Sequence, residues 1–144
     1  MNLQFRSLLP GDLDTLFDLW SMTDLPIRPG GREDRARLCS QMEDPRSLFL
    51  GAFHESALVG AVLVTHDGRK GWINRLAVHP DHRHHGVARL LMREAERFLL
   101  HEGIGIVAGL IEEDNHPSRA LFSSEGYEEV TEILYYRKHL IQGS

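Results

Sequence analysis

The chain has 144 residues, of which 42% are hydrophobic and 26% charged, and its formal net charge is −5. This length and composition are typical of one globular domain with a single core, and they exclude a disordered chain. The negative charge argues against nucleic-acid binding, because a duplex-binding module needs a basic surface.

The first half of the chain contains apolar patterns typical of strands and of helices. Leu13, Leu16 and Trp20 recur at the spacing of one helix face, and Asp12 can cap that helix. Asp67-Gly68 is a hairpin signal between two apolar runs. The predicted elements are a strand over Leu3–Leu8, a helix after Asp12, a loop over Pro26–Gly31, a helix over Glu33–Met42, and strands over Leu48–Phe53, Leu58–Thr65 and Trp72–Val78.

The second half contains the longest helical pattern and a short run of almost wholly apolar residues. That run, Ile104–Ile111, is typical of a strand buried on both faces in the parallel part of a sheet. The predicted elements are a helix over Gly86–Glu102, the strand Ile104–Ile111, a helix from Pro117 to Gly126, and strands over Tyr127–Val130 and Ile133–Arg137. The order β-α-α-β-β-β-α-β-α-β-β predicts an α/β fold with a mixed sheet, in a single domain over residues 1–144.

The segment between the third strand of the meander and the long helix carries the strongest functional signal. It runs from Leu76 to Arg89 and places Gly86 at the start of the helix. The first N–H groups of a helix have no partners within the helix, and the helix dipole adds positive charge there. Because glycine has no Cβ, a phosphate can approach the backbone closely, and Arg83 and Arg89 can add charge at the rim.

Arg83-His84-His85-Gly86-Val87-Ala88 resembles the Arg/Gln-x-x-Gly-x-Gly/Ala signature of the Gcn5-related N-acetyltransferases (GNAT). Downstream, Asn115, Phe122 and Gly126-Tyr127 resemble the second motif of that family. The resemblance covers nearly the whole chain in the right order. It implies the GNAT fold and an N-acetyltransferase that uses acetyl-CoA as co-substrate and acetylates an amine of a small molecule or protein by direct attack in a ternary complex.

The resemblance also implies which residues bind acetyl-CoA. Its diphosphate is expected on the amides of residues 84–89, its pantetheine arm along the preceding strand, and Asn115 on the opposite wall. The implied cofactor-binding residues are Leu76, Ala77, Val78, Arg83, His84, His85, Gly86, Val87, Ala88, Arg89 and Asn115.

The chain departs from the family pattern at the proton donor. The family often has a tyrosine seven residues after the motif asparagine, where this chain has Phe122. Tyr127, Tyr135 and Tyr136 are substitutes for the acid, and water is another. Glu112 and Glu113 end the apolar strand, whose alternation lets one of them face the cofactor, so they are candidate bases. Many relatives have an acid where this chain has Asn74. We therefore treat Glu112 and Tyr127 as candidate catalytic residues.

The loop before the long helix is rich in histidine. Its members are His79, His82, His84 and His85. A metal site, a partly protonated rim that helps to hold phosphate, and a solvated loop without a role all stay open. Because neighbours in a loop rarely converge on one ion, no metal is expected.

The remaining predictions concern partners and compartment. The acceptor pocket is expected between the first two helices, with Trp20, Met22, Ile27, Arg28 and Arg32 as candidate lining residues. Cys39 cannot form an internal disulfide and is interpreted as a core residue of the second helix. The first residues lack a signal-peptide core, and no run approaches about 18 apolar residues, so we expect a cytoplasmic protein without a membrane span. A homodimer and a non-catalytic CoA-binding module stay open.

Overall fold

The computed structural model describes residues 2–23 and 34–143. Its helices and strands follow the predicted order as far as the last helix, which confirms the mixed α/β class. The elements are β1 (Gln4–Ser7), α1 (Leu13–Ser21), α2 (Arg35–Glu43), β2 (Ser47–His54), β3 (Ala57–His66), β4 (Gly71–Val78), α3 (Val87–His101), β5 (Val107–Gly109) and α4 (His116–Ser124). The loop predicted over Pro26–Gly31 lies outside the described residues.

The strands form one five-stranded sheet in the order β1-β2-β3-β4-β5. The pairs from β1 to β4 are antiparallel, and β4 pairs with β5 in parallel. Helix α3 covers one face of the sheet, and α1 and α2 cover the other. From Ala61 to Val64, successive residues of β3 point alternately into these two cores, with Val62 facing α3 and Leu63 facing α1. This double burial explains why β3 is an almost unbroken apolar run.

Helices α1 and α3 bury the apolar stripes that predicted them. The fully or nearly fully buried residues of α1 are Leu13, Leu16, Leu19 and Trp20, and those of α3 are Val87, Leu91, Met92, Ala95 and Leu99. Gly60 of β3 allows the first turn of α3 to approach the sheet, since a Cβ there would lie 2.9 Å from Val87 Cγ1. The start of α3 is therefore fixed against the strand that pairs with the end of β4.

Among the described residues, the helices are all too short or too polar to cross a membrane.

A β-bulge in β4 coincides with the point where the pairing of β4 with β5 ends. Leu63 pairs with Arg75 and Val64 with Ile73, so Asn74 is the extra residue of β4. Ile73 is also the last residue of β4 that pairs with β5, opposite Gly109. A bulge bends a strand and increases its twist. From Asn74 onward, the residues of β4 have no paired residue in β5, so this end of β4 is unpaired on its β5 side.

The structure corrects the predicted C-terminal elements. Strand β5 is shorter than Ile104–Ile111, and within the described residues no strand follows it, so Tyr127–Val130 and Ile133–Arg137 are not strands. All residues from Glu128 to Gly143 are exposed. An alternating apolar pattern forms a strand only where a neighbouring strand supplies hydrogen-bond partners, and this segment has no such neighbour in the described part of the chain.

Candidate active site

The loop between β4 and α3 has a backbone shape that suits an anion. His79 caps a 3₁₀ turn at Pro80–His82, its Nδ1 accepting from the N–H of Asp81 at 3.1 Å. His84 and Gly86 then adopt the left-handed conformation, with φ of 66° and 79°. For a non-glycine residue such as His84 this conformation is strained, and strain of this kind concentrates at functional sites. Successive amides in such turns form concave anion-binding sites.

Helix α3 begins without a side-chain cap. Gly86 is its N-cap, and its carbonyl accepts from the N–H of Leu90, so the preceding N–H groups, at residues 87–89, have no bond within the helix. A Cβ on Gly86 would meet no atom within 4 Å. The positive φ, and not crowding by neighbouring atoms, therefore explains why residue 86 is a glycine. The open space leaves room for a ligand at the positive end of the helix dipole.

This loop and the first turn of α3 line a cavity of about 340 Å³. Its lining includes the predicted cofactor residues Val78, Arg83, His84, Gly86, Val87, Ala88 and Arg89. It also includes His82 and Leu121, which sequence reasoning did not assign to the cofactor. Leu121 belongs to α4 and Val78 to β4, so the cavity lies between α3 and α4 beside the unpaired end of β4, and we call it the cleft.

The other predicted cofactor residues do not line this cavity. Ala77 packs in the core under α1, and His85 is exposed. Asn115 caps α4, its Oδ1 accepting from the N–H of Ser118 at 3.2 Å. The roles of these residues in cofactor binding stay predictions.

The backbone of β4 offers unpaired groups to the cleft. The N–H of His79 donates to the carbonyl of Val59 at 2.8 Å, which fixes the phase of the antiparallel ladder. By the alternation of such a ladder, the N–H and C=O groups of Leu76 and Val78 point away from β3, toward the cleft. Pairing with β5 ends before them, so they face no strand in the described part of the chain.

His82, which lines the cavity, also has an unpaired polar atom. Its Nδ1 is buried and has no hydrogen-bond partner within the described residues. The ring contacts His79 and His54 edge-on, with centroids 5.5 and 6.0 Å away. Across the described residues, no three His, Cys, Asp or Glu side chains are grouped to hold a metal ion.

The candidate catalytic side chains lie outside the cavity lining. Glu112 is exposed and follows β5. The hydroxyl of Tyr127 donates to Glu96 Oε2 at 2.7 Å, and the ring packs on Phe122 with centroids 4.9 Å apart. Burial, and then the bond to Glu96, raise the pKa of Tyr127 far above its usual value. A phenol held in this way is a poor proton donor for a leaving group.

The predicted acceptor pocket is corrected at one residue. Trp20 is only 2% exposed, and the guanidinium of Arg75 lies 4.3 Å from its ring centroid. The indole is a core residue and not a pocket wall, because its place in the apolar stripe of α1 turns it toward the sheet. Met22 is exposed, and the other candidates, Ile27, Arg28 and Arg32, lie outside the described residues. Cys39 is partly buried on α2 and packs against the core, as expected.

Known sequences and structures resemble this chain over most of its length. The profile of the Acetyltransferase (GNAT) family matches residues 13–127. An acetyltransferase of Sodalis glossinidius (strain morsitans) is 28% identical over 140 residues, covering 97% of each chain. An acetyltransferase of Pectobacterium atrosepticum is 29% identical over 140 residues, again covering 97% of each chain.

Solved structures share the fold at low sequence identity. AAC(6')-Iy in complex with the bisubstrate analog CoA-S-monomethyl-acetylneamine has a TM-score of 0.78 and 18% identity, covering 96% of this chain and 99% of that one. The PaiA N-acetyltransferase from Thermoplasma acidophilum in complex with coenzyme A has a TM-score of 0.77 and 21% identity, covering 89% of this chain and 91% of that one. Likeness at this level of identity establishes the architecture.

Proposed function

This chain belongs to the GNAT acetyltransferase family, and from that premise we propose that it transfers the acetyl group of acetyl-CoA to a primary amine by direct attack in a ternary complex. The acceptor is an amine of a small molecule or of a protein. We further propose a cytoplasmic location, which a single free cysteine favours because the cytoplasm is reducing.

The observation that carries this proposal is the amide cradle at the start of α3. Uncapped N–H groups, the left-handed Gly86 and a cavity of about 340 Å³ coincide at one helix N-terminus. The formal net charge of the chain is −5, so the general field does not attract an anion. A local site of fixed amides and the helix dipole can still bind a diphosphate.

The free edge of β4 supports the next step of the proposal. An extended pantetheine arm carries amide groups that can pair with the N–H and C=O groups of Leu76 and Val78. The N–H of Val78 can then donate to the thioester oxygen as negative charge develops on it. The neutral amine nitrogen bonds to the carbonyl carbon, the C–S bond breaks, the nitrogen releases one proton to a base or water, and the thiolate takes up one proton.

Proton transfer sets the demands on the acceptor. A lysine amine with a pKa of ~10.4 is neutral at pH 7 only at a cost of about 4.6 kcal/mol, whereas an α-amine near pKa ~7.8 needs about 1 kcal/mol. A base therefore matters most for a lysine-like acceptor. We propose Glu112 for this role, acting through water because it lies outside the cavity lining. Because the Tyr127 hydroxyl is bonded to Glu96, water is the better donor to the thiolate, whose thiol has a pKa of ~8.5.

One experiment tests the transferase. Purified protein is mixed with acetyl-CoA and a panel of polyamines, amino acids, aminoglycosides and peptides, and free thiol is followed over time. We expect steady thiol release with at least one amine, and an acetylated product by mass spectrometry. If CoA affinity by calorimetry is undetectable and no amine releases thiol, the proposal fails.

A non-catalytic CoA-binding module is the second candidate, and Phe122 favours it. The phenyl ring has no proton to give, and it packs between Gly109 and Tyr127. In this case calorimetry shows acetyl-CoA binding, and no amine in the panel releases thiol above the hydrolysis rate.

Assembly is a further part of the proposal. Exposed apolar side chains follow α4 in the single chain; they are Val130, Ile133, Leu134, Tyr135, Tyr136, Leu140 and Ile141. Contiguous exposed apolar residues are typical of an interaction surface, and we propose that a homodimer covers them. Light scattering after size-exclusion chromatography measures this, and a monomer at all concentrations would contradict it.

A further inference from the structure

Glu125, the C-cap residue of α4, joins α4 to α3 through its carboxylate. The side chain is 8% exposed. Its Oε2 lies 2.8 Å from Arg89 Nε, and its Oε1 lies 3.1 Å from Arg93 Nε. Arg89 and Arg93 are one turn apart on the same face of α3. One nearly buried carboxylate thus forms ion pairs with two guanidinium groups, and it accepts a charge-assisted hydrogen bond from Arg93 Nε.

The bond to Glu125 also fixes the orientation of Arg89, which lines the cofactor cavity. Arg89 Nη2 lies 3.3 Å from Ser124 Oγ, so two of its three nitrogens are held by the end of α4. The third nitrogen, Nη1, has no partner in the described part of the chain. It is the donor that remains for a ligand in the cavity.

The contact between Glu125 and Arg89 joins the two sides of the cavity at a place where no strand pairing joins them. Pairing between β4 and β5 ends at Ile73 and Gly109. Helix α3 follows β4 and helix α4 follows β5, so the two helices that line the cavity follow strands whose pairing has ended. Glu125 holds these two helices together beside the cavity.

We propose that Glu125 is a positioning residue for the diphosphate of CoA. It holds Arg89 so that Nη1 donates to the diphosphate, and it keeps the α4 wall against α3. Two arginines and one glutamate leave one net positive charge, so Glu125 orients the cation without cancelling the attraction for phosphate. This inference rests on the proposed function, since it needs CoA in the cavity.

The test compares Glu125→Gln with Glu96→Gln. Each substitution removes the charge of a carboxylate that links α3 to the chain near the end of α4. Glu96, however, binds Tyr127 and does not line the cavity. By calorimetry, we expect Glu125→Gln to raise the Kd of CoA about tenfold and Glu96→Gln to leave it within twofold. Dephospho-CoA, which keeps the diphosphate, should show the same tenfold loss. A loss confined to CoA would overturn the assignment to the diphosphate.

A double-mutant cycle separates positioning from general loosening of the fold. If Glu125 acts through Arg89, Glu125→Gln has no further effect on the Kd of CoA in the Arg89→Gln background. In turnover assays of Glu125→Gln, we expect the KM of acetyl-CoA to rise, whereas kcat should stay within threefold of the wild-type value. Additive losses, or an unchanged Kd in a folded Glu125→Gln protein, would overturn the inference. Failure of the wild type to bind CoA would instead refute the proposed function, so the two failures are distinguishable.

Discussion

The Tyr127 hydroxyl and the Glu96 carboxylate are 2.7 Å apart, and their hydrogen bond ties the segment after α4 to the middle of α3. The phenol donates and the carboxylate accepts, so the bond is charge-assisted. Burial and this bond raise the pKa of Tyr127. The arrangement suits a structural contact better than a proton donor.

The first prediction is that Tyr127→Phe lowers stability and leaves turnover intact. Loss of a hydrogen bond to a charged group should cost about 1.5–3 kcal/mol, and kcat should stay within threefold. Denaturant unfolding and thiol release measure the two effects. If Tyr127 is the general acid, kcat falls at least a hundredfold instead.

The stability effect of Tyr127 has a defined pH dependence. A raised pKa means that the folded state favours the protonated phenol, so its contribution is fully present below the unfolded pKa of ~10 and is lost as pH rises above that value. The difference in stability between the wild type and Tyr127→Phe should therefore be constant from pH 6 to pH 9. A difference that shrinks steadily across that range would contradict this.

The second prediction concerns the turn between β2 and β3. Glu55 and Ser56 both adopt positive φ, at 50° and 70°. A two-residue hairpin turn of this kind prefers Asn-Gly, because most side chains are strained there. We expect the double substitution Glu55→Asn and Ser56→Gly to stabilise the protein by about 1 kcal/mol and to raise Tm by about 4 °C. Gly68→Ala, at φ of 88° in the turn between β3 and β4, is the opposite control and should lower Tm.

Local signals predicted most of the fold. The turn at Glu55 joins β2 to β3, and Asp67-Gly68 lies in the turn that joins β3 to β4. Because each of these strands pairs with its neighbour in the chain, the apolar pattern and the turn residues are enough to predict the pairing. The strand at Ile133–Arg137 depends on a partner that no local pattern specifies, and its alternation alone did not make it a strand.

The same distinction applies to the site. The role of Gly86 at the start of α3 was predictable because it depends on the local sequence alone, a glycine directly before a long helical pattern. Leu121 lines the cavity from α4, and Glu125 at the end of α4 contacts Arg89 at the start of α3. No spacing along the chain encodes these contacts, because they follow from how α4 packs beside α3.

The third prediction is that Phe122→Tyr increases the rate of acetyl transfer. The substitution adds a hydroxyl beside β5, at the position where the family often has tyrosine. A positioned acid typically contributes 10²–10⁴-fold where proton transfer limits the rate. We expect kcat to rise several-fold with little change in the KM of acetyl-CoA, measured by thiol release at saturating amine. An unchanged kcat would mean that water already protonates the thiolate fast enough.

The fourth prediction compares two glycines at opposite ends of α3. Gly86 and Gly103 both adopt positive φ, at 79° and 81°, and a Cβ on either would meet no atom within 4 Å. Substitution by glutamate therefore imposes similar backbone strain of about 1–2 kcal/mol at each, and both variants should stay folded. Only Gly86→Glu adds bulk and negative charge where the diphosphate is expected to bind.

We expect Gly86→Glu to abolish CoA binding in calorimetry and Gly103→Glu to keep the wild-type Kd within threefold. Because the backbone strain is similar, Tm should fall by similar amounts in the two variants. A general loss of stability therefore could not explain a loss of CoA binding that is seen only in Gly86→Glu. Raised salt weakens the attraction between the helix terminus and phosphate in the wild type and in Gly103→Glu alike. Wild-type CoA affinity in a folded Gly86→Glu protein would place the cofactor elsewhere, since a carboxylate at the N-terminus of α3 and a diphosphate cannot occupy the same amides.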